Sequence, residues 1–336
     1  MTHKIIIAGC GAMSDHWIEI AGSRDDCEIV ALVDINTVAA ETRKQKHSLS
    51  AKVYTNIEEA LKKESANLVF DITVPNAHFE LVTAALRAGC NVFGEKPMSD
   101  SLENAEKMVT CANETSREYF VMQNRRYIPS LFAMKSFLQS RKLGDIGQLS
   151  ANFQLGPHFG GFREDMDSPL IADMAIHTFD AARFITGKNA VSVYTHEFNP
   201  SWSWYKGNAC AICIFEMEDG SVFDYRGSWC ANGLITSWES EWRVVCAKGT
   251  VFWDGAEKLY YGLADGAEGV SSATEEIQPV QMKFERHKAC IYEMFDALKN
   301  GTRPQTDCRD NINSIKMVYK AIESARTKKK VMLPCS

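Results

Sequence analysis

The sequence predicts an α/β protein of two domains, the first a doubly wound parallel sheet and the second rich in antiparallel strands. The chain has 336 residues, which is too many for one ordinary hydrophobic core. Up to about residue 123, short apolar runs alternate with helical patterns, as in parallel sheets with crossover helices. After Gly147 the pattern changes to successive strands separated by turns. We therefore place the domains at 1–123 and 124–336.

The composition is that of a globular protein, and it argues against several function classes. The net charge is −6 and the charges are interspersed, whereas nucleic-acid or anionic-membrane surfaces need a basic field. No segment approaches the roughly 20 apolar residues of a membrane span, and no signal peptide is visible. The 11 cysteines are scattered along a long chain. We therefore expect free thiols and a cytoplasmic location, with no nucleic-acid or membrane partner.

The first strand–turn–helix–strand unit predicts a dinucleotide site. “HKIIIAGCGAMSDHWIEIA” contains an apolar strand, a glycine turn and a helix, and “CEIVALVDIN” is a second strand that ends at Asp34. Gly9 permits the tight turn, and Gly11 lets a pyrophosphate approach the helix N-terminus. Asp34 stands where a carboxylate accepts hydrogen bonds from a ribose diol. Because this carboxylate repels a 2′-phosphate, NAD is favoured over NADP.

Ser14 stands where the third glycine of this fingerprint is expected. Serine is small enough for the helix to pack closely on the strand, and its hydroxyl suits a helix start. The neighbouring Ala12, Met13 and Ile35 complete the cofactor contacts that we expect from this turn.

The following elements continue the alternation and bring polar residues to the strand ends. “ANLVFDITVP”, “CNVFGEKP” and “EYFVMQNRRY” predict strands, with helices between them. Ligands of such sheets bind beyond the carboxyl ends of the strands. The residues at these ends are Thr73, Pro75, Asn76, Glu95, Lys96, Asn124 and Arg125. Lys96 is the sharpest candidate, because it directly follows a buried strand and precedes a proline.

The second domain is predicted to contain an antiparallel sheet. “AVSVYTHEF”, “ACAICIFEM”, “SVFDYRGSW”, “EWRVVCAK” and “TVFWDG” predict strands, and “EDG” and “KG” supply hairpin turns. Tryptophans at 202, 204, 229, 238, 242 and 253 either stack on sugar rings or line a sheet face buried in an oligomer. The loop 158–169 offers His158 and Arg163 as substrate contacts. The last helix, about 309–327, is amphipathic and is a candidate to pack back on the first domain.

The stretch “DMAIHTFD”, 173–180, predicts a buried helix with three polar side chains. A regular α-helix places Asp173, His177 and Asp180 on one stripe, while the rest of the helix is apolar. A structural ion cluster, a metal site and a proton relay are the competing interpretations. Two ligands at this spacing are too few for a metal site, so we predict none. We pair Asp180 with Arg183, and Asp173 with His177 one turn away.

The combination of “GCGAMS”, “TVPNAHF”, “GEKP”, “GDIGQL” and “DMAIHTFD” resembles the Gfo/Idh/MocA family, oxidoreductases of the glucose–fructose oxidoreductase and inositol dehydrogenase type. The resemblance covers the whole chain. It implies an N-terminal Rossmann domain and a C-terminal α/β domain on a large, open, mostly antiparallel sheet. Because that sheet commonly mediates oligomer contacts, the resemblance implies a homodimer or homotetramer.

The resemblance also implies site roles. It places Lys96, Asp173 and His177 at a sugar or polyol hydroxyl, Asn124 and Arg125 near substrate, and Thr73, Asn76, His78 and Glu95 near the cofactor. The expected reaction is NAD-dependent oxidation or reduction of a secondary hydroxyl. Histidine suits the proton transfer, since an imidazole titrates near neutrality.

Two other functions stay open on the same fold. One is a glycoside-cleaving enzyme that works by transient oxidation with bound NAD and shows no net NADH production. The other is a non-catalytic regulator that senses NAD and a sugar. The presence of the lysine and of the Asp–His pair favours an enzyme.

Overall fold

A parallel sheet forms the first unit of the computed structural model, which describes residues 2–265, 269–270 and 273–334. Its strands are β1 (His3–Ala8), β2 (Cys27–Val33), β3 (Lys52–Tyr54), β4 (Leu68–Asp71), β5 (Asn91–Gly94) and β6 (Tyr119–Val121). They lie in the order β3–β2–β1–β4–β5–β6, and neighbouring strands are parallel. The predicted doubly wound sheet is therefore confirmed.

Capping side chains and a proline mark the starts of several helices of this unit. They are α1 (Ser14–Gly22), α2 (Thr37–Lys46), α3 (Ile57–Lys63), α4 (Pro75–Arg87) and α5 (Leu102–Thr115). The Asn36 side chain accepts the amide of Val38 at the start of α2, and Ser101 accepts that of Asn104 in α5. Pro75 opens α4, where its fixed φ suits the first helical position.

A second sheet, confirmed as mostly antiparallel, forms the core of the second unit. Its strands are β7 (Ile146–Gln154), β8 (Ala190–Phe198), β9 (Cys210–Met217), β10 (Val222–Ser228), β11 (Glu241–Cys246), β12 (Gly249–Trp253), β13 (Leu259–Leu263), β14 (Glu275–Glu276) and β15 (Val331–Met332). They lie in the order β14–β13–β12–β11–β7–β10–β9–β8–β15, and the β7–β10 pair is parallel. β7, which the strand assignments from sequence do not include, lies at the centre.

Helices cover one face of this sheet and leave the other open. They are α6 (Pro129–Gln139) and α7 (Ile176–Thr186), and Phe179 of α7 packs edge-on against Phe215 and Tyr225. On the other face, Tyr194 lies opposite Ile214 on the next strand, and both side chains are exposed. These exposed side chains support the homodimer or homotetramer predicted through this sheet, which stays a prediction.

The tryptophans do not act as one set, contrary to the sequence interpretation. Trp242 pairs with Trp253 across β11 and β12, and both lie buried on the covered face, as does Trp229 in its loop. Trp202 and Trp238 are exposed in loops. The alternating pattern of each strand buries the strand tryptophans within the chain itself, so they are not available to a partner or a ligand.

The chain returns to the first unit near its C-terminus. That unit holds the residues up to Gln123 together with His287–Ile312, and the second holds Asn124–Arg286 with the residues from Asn313 onward. The returning segment takes in most of α8 (Arg286–Asn300) and the first residues of α9 (Cys308–Thr327). The predicted domains, 1–123 and 124–336 with a last helix of about 309–327 that packs back on the first, stay a prediction. In the structure, Phe295 of α8 packs on the sheet aromatics of the first unit. A bilayer-spanning helix is absent from the described residues.

Candidate functional site

The glycine turn after β1 has the shape of a dinucleotide cradle. Gly9 has φ +89°, and a Cβ there would lie 2.4 Å from the carbonyl oxygen of Ile72, so only glycine fits. At Gly11, by contrast, no heavy atom of the described residues lies within 4 Å of an added Cβ. The Gly11 backbone therefore faces open space at the start of α1, where a pyrophosphate meets helix amides.

Asp34 is fixed at the end of β2 by the turn that it faces. Its Oδ2 accepts the amide of Cys10 at 2.7 Å, and its Oδ1 accepts that of Asn36 at 2.8 Å. Each carboxylate oxygen keeps a second lone pair, as ribose hydroxyls require. Ile35 is 93% exposed beside it, and Val74, which the sequence did not single out, is a further exposed apolar residue at a strand end of this sheet. The residues present therefore fit an adenine dinucleotide.

Ser14 fastens the turn and does not cap the helix. Its side chain is fully buried, and its hydroxyl donates to the carbonyl of Gly11 at 2.6 Å. Arg43 donates to the same hydroxyl at 3.2 Å and forms an ion pair with Asp15 at 3.1 Å. Arg43 is the first cation after Asp34 in the sequence, and its guanidinium is engaged with these protein groups. This arrangement favours NAD over NADP.

A buried pair lies at the end of β4. The Oδ2 of Asp71 lies 2.6 Å from Nδ1 of His78, and its Oδ1 accepts the Thr73 hydroxyl at 2.6 Å. Burial opposes protonation of His78, but the Asp71 carboxylate outweighs it and raises the pKa of the imidazole. The structure thus brings Thr73 and His78 together through Asp71, which the sequence analysis missed. Their contact with the cofactor stays a prediction.

Glu95 and Lys96 follow β5 at the same edge of the sheet. The indole Nε1 of Trp17 donates to Oε1 of Glu95 at 2.8 Å, and the Lys96 amide donates to Oε2 at 3.3 Å. Burial raises the pKa of Glu95 in spite of these donors. Trp17 lies on α1, so the helix of the glycine turn also positions the segment that presents Lys96. A long-range partner of this kind has no signal in the sequence.

The stretch 173–180 is not one regular α-helix, which corrects the sequence prediction. Leu170–Ala175 forms a π-helical turn, and α7 follows it. Such turns are frequent at functional sites, and the extra residue shifts Asp173 relative to the helix that follows. Asp173 is 9% exposed and His177 6%. Their direct pairing stays a prediction.

Asp180 forms the predicted ion pair with Arg183, and it binds Arg126 more closely. The guanidinium of Arg126 donates twice to the carboxylate, at 2.7 Å each, and the Ser314 hydroxyl donates at 2.6 Å. Arg183 lies 3.7 Å away. The planar Arg126 fork matches both carboxylate oxygens, which a residue three positions along the same helix does not achieve here. Asp180 is therefore structural, as expected, and Arg126 is a second, closer partner that the sequence did not indicate.

The four residues predicted to contact substrate each have different neighbours in the structure. Arg125 forms an ion pair with Glu239 at 3.3 Å, and its Nη2 lies 3.9 Å from Sδ of Met174 in the π-helical turn. Glu239, which the sequence did not indicate, also binds Arg286 at 2.7 Å. Further out, His158 stacks on Trp204 with ring centroids 3.7 Å apart. Asn124 is buried in a short 3-10 turn, and Arg163 binds Asp173.

Glu197, on β8, supports the chain just before the π-helical turn. The Ser168 hydroxyl donates to its Oε2 at 3.0 Å, while Oε1 is buried with no hydrogen-bond partner in the described part of the chain. Burial raises the pKa of Glu197 to about 7. The folded chain therefore prefers the protonated carboxyl, in contrast to an ordinary surface glutamate.

We expect Glu197→Gln to stabilise the protein at pH 8 but not at pH 5. The raised pKa in the fold means that stability is greatest at acid pH and falls as pH rises through about 7. An amide carries no charge at either pH, so the variant should exceed the wild type at pH 8 by on the order of 2 kcal/mol. Urea unfolding at both pH values measures this difference. Glu241→Gln, an exposed change on β11, serves as the control, and an equal effect of the two substitutions contradicts the assignment.

The described residues contain no group of three or more His, Cys, Asp or Glu side chains placed to hold a metal ion. The first unit contains a dinucleotide cradle, and the second contains a buried carboxylate and imidazole. Comparison with known proteins matches both halves.

Two family models match the chain: an oxidoreductase family with an NAD-binding Rossmann fold over residues 3–123, and a GFO/IDH/MocA C-terminal domain over residues 132–252. The D-apiose dehydrogenase of Paraburkholderia graminis is 26% identical, over 98% of this chain and 89% of that protein. The myo-inositol 2-dehydrogenase of Thermotoga maritima is 22% identical, over 98% of each. The fold matches an oxidoreductase from Agrobacterium radiobacter, solved with NAD+, L-tartaric acid and magnesium, with a TM-score of 0.86 and 19% identity over 99% of both chains. The chain therefore belongs to the Gfo/Idh/MocA family and is an oxidoreductase with an NAD-binding Rossmann domain.

Proposed function

We propose that this protein oxidises a secondary hydroxyl of a sugar, sugar derivative or polyol, and reduces the corresponding ketone in reverse. The observation that carries the proposal is the burial of Asp173 and His177 together in an otherwise apolar segment. Burying such groups is costly, and buried ionisable groups in otherwise apolar surroundings mark candidate functional sites. Two relatives that match almost the whole chain are named dehydrogenases of D-apiose and myo-inositol.

Each proposed residue holds or moves a proton. His177, as a neutral imidazole, accepts the proton of the substrate hydroxyl. Asp173 stabilises the imidazolium that results, and Lys96 donates a hydrogen bond to the reacting oxygen as negative charge develops there. NAD, when bound, supplies the hydride acceptor. Gly9, Gly11 and Asp34 are the residues that would hold it, and the roles of Asn124, Arg125 and His158 at the substrate are part of the same proposal.

NADH formation across a panel of polyols, aldoses and alkyl glycosides tests the proposal, with NADP in parallel. We expect NADH from at least one polyol or sugar, and a rate with NADP at least about tenfold lower, because Asp34 repels the 2′-phosphate. Glycoside cleavage without net NADH would favour the glycoside-cleaving alternative. Sugar binding without either reaction would favour the regulator.

A further inference from the structure

Arg163 connects the loop 158–169 to the buried carboxylate of Asp173. The Nε of Arg163 lies 2.5 Å from Oδ2 of Asp173, and the arginine side chain is 34% exposed against 11% for the aspartate. A charge-assisted hydrogen bond of this length is among the strong polar contacts in proteins. The loop position of Arg163 predicts a substrate contact, whereas its guanidinium is directed at Asp173 of the proposed proton-transfer site.

The loop is built to present this arginine. Gly160 and Gly161 have φ +66° and +72°, a conformation that glycine adopts without strain, and the Cβ positions there face open space. The Arg163 guanidinium lies over the rings of Phe162 and Phe159, 4.8 and 5.7 Å from their centroids. These cation–π contacts favour the observed position of the Arg163 guanidinium.

Two main-chain hydrogen bonds hold the loop 158–169 against a second segment of the chain. The Lys206 amide donates to the carbonyl of Glu164 at 2.9 Å, and the Asn208 amide donates to that of Asp167 at 2.8 Å. Both bonds hold the chain directly after Arg163, so the backbone on its C-terminal side is fixed while its side chain contacts Asp173.

We propose that Arg163 is a positioning residue, which holds the Asp173 carboxylate and offsets its charge, and so sets how strongly Asp173 favours protonated His177. This inference rests on the proposed function of Asp173 and His177. On this proposal Arg163 acts on the reaction through Asp173. It makes no substrate contact that contributes to affinity.

The other charged groups around this pair are held elsewhere. Tyr205 faces both Arg163 and Asp173, and burial raises its pKa to about 12, so the phenol is neutral. Arg125 approaches the π-helical turn at Met174, but its charge is offset by Glu239. On the same helix as His177, Asp180 is bound by Arg126, and in the loop Glu164 is the acidic neighbour of Arg163. Removing Arg163 therefore changes the charge beside Asp173 without breaking these pairs.

Arg163→Met tests the proposal through the pH dependence of kcat/KM. Without the guanidinium, the full charge of Asp173 acts on His177 and favours the imidazolium. The acid limb of the profile should then move to higher pH by about one unit. At a pH on that limb, kcat/KM should fall about tenfold, with KM within about twofold of the wild type. Arg163→Lys, which keeps the charge, should leave the limb within a few tenths of a unit, and Arg141→Met, at an exposed ion pair, should leave it unchanged.

NMR titration of the His177 ring gives the same comparison without turnover. The proposal expects the imidazole of Arg163→Met to titrate about one unit higher than in the wild type. An unmoved titration and acid limb, with a raised KM, would make Arg163 a substrate contact and overturn the inference. If His177→Ala retains turnover, the proposed function itself fails, and that result is separate from the NMR comparison. Thermal unfolding of each variant confirms that it is folded.

Discussion

Replacing His177 by alanine should lower kcat by about a thousandfold and leave the affinity for NAD within about twofold. A positioned general base contributes roughly 100- to 10,000-fold to a proton transfer, and the proposal gives this role to His177 alone. Gly9, Gly11 and Asp34 form the dinucleotide cradle, and the substitution changes none of these residues. Steady-state rates with the preferred substrate of the panel, and fluorescence titration with NADH, measure the two quantities.

Matched variants make this result specific. His196→Ala removes an exposed imidazole from β8 in the same unit and should leave kcat unchanged. Lys96→Met should also reduce kcat by a hundredfold or more, on the order expected for losing one donor to developing negative charge. Turnover that survives at near wild-type rates in the His177 variant would refute its role as the base. Loss of NAD binding in that variant would show that the defect is structural.

The first unit was predictable because its signals are local. The apolar run of β1, the turn at Gly9 and Gly11, and the carboxylate at Asp34 are close in sequence, and a parallel sheet brings all its carboxyl ends to one edge. Ser14 shows the limit of this argument. The sequence shows that a small residue is present, but the hydroxyl–carbonyl bond to Gly11 and the reach of Arg43 depend on how α2 packs beside the turn.

The second unit was less predictable because its site depends on partners distant in sequence. Arg125 bonds to the carbonyl of Trp238, 113 positions away, and Asp180 binds Arg126 across 54. Neither pairing leaves a periodic pattern, whereas the spacing of Asp180 and Arg183 does, and it predicted only the longer of these two arginine contacts. The π-helical turn at Leu170–Ala175 was equally hidden, since its residues follow the same apolar pattern as an α-helix.

Alanine at Asp180 should lower the free energy of unfolding by about 3–5 kcal/mol, the range found when one partner of a buried ion pair is removed. Asp180 is 1% exposed and accepts two hydrogen bonds from Arg126 and one from Ser314. Without it, the Arg126 guanidinium loses its bidentate acceptor inside the protein. Most of this loss of stability comes from leaving the Arg126 charge buried without its carboxylate, and less from the lost attraction. Both ions lost their hydration on folding, and in the variant the remaining ion is no longer compensated.

A double variant that removes both ions distinguishes the effect of the stranded charge from other roles of the ion pair. If the stranded Arg126 charge causes the loss, the double variant Arg126→Met with Asp180→Leu should recover most of it, since Arg183 keeps its hydrogen bonds to Asn189 and Ser314. Asp145→Ala, at the exposed pair with Arg141, should change the free energy of unfolding by less than about 1 kcal/mol. Urea unfolding of the four proteins decides the matter. A double variant as unstable as Asp180→Ala would show that the ion pair organises the junction of α7 with the 3-10 turn at Asn124–Tyr127, beyond compensating its own charges.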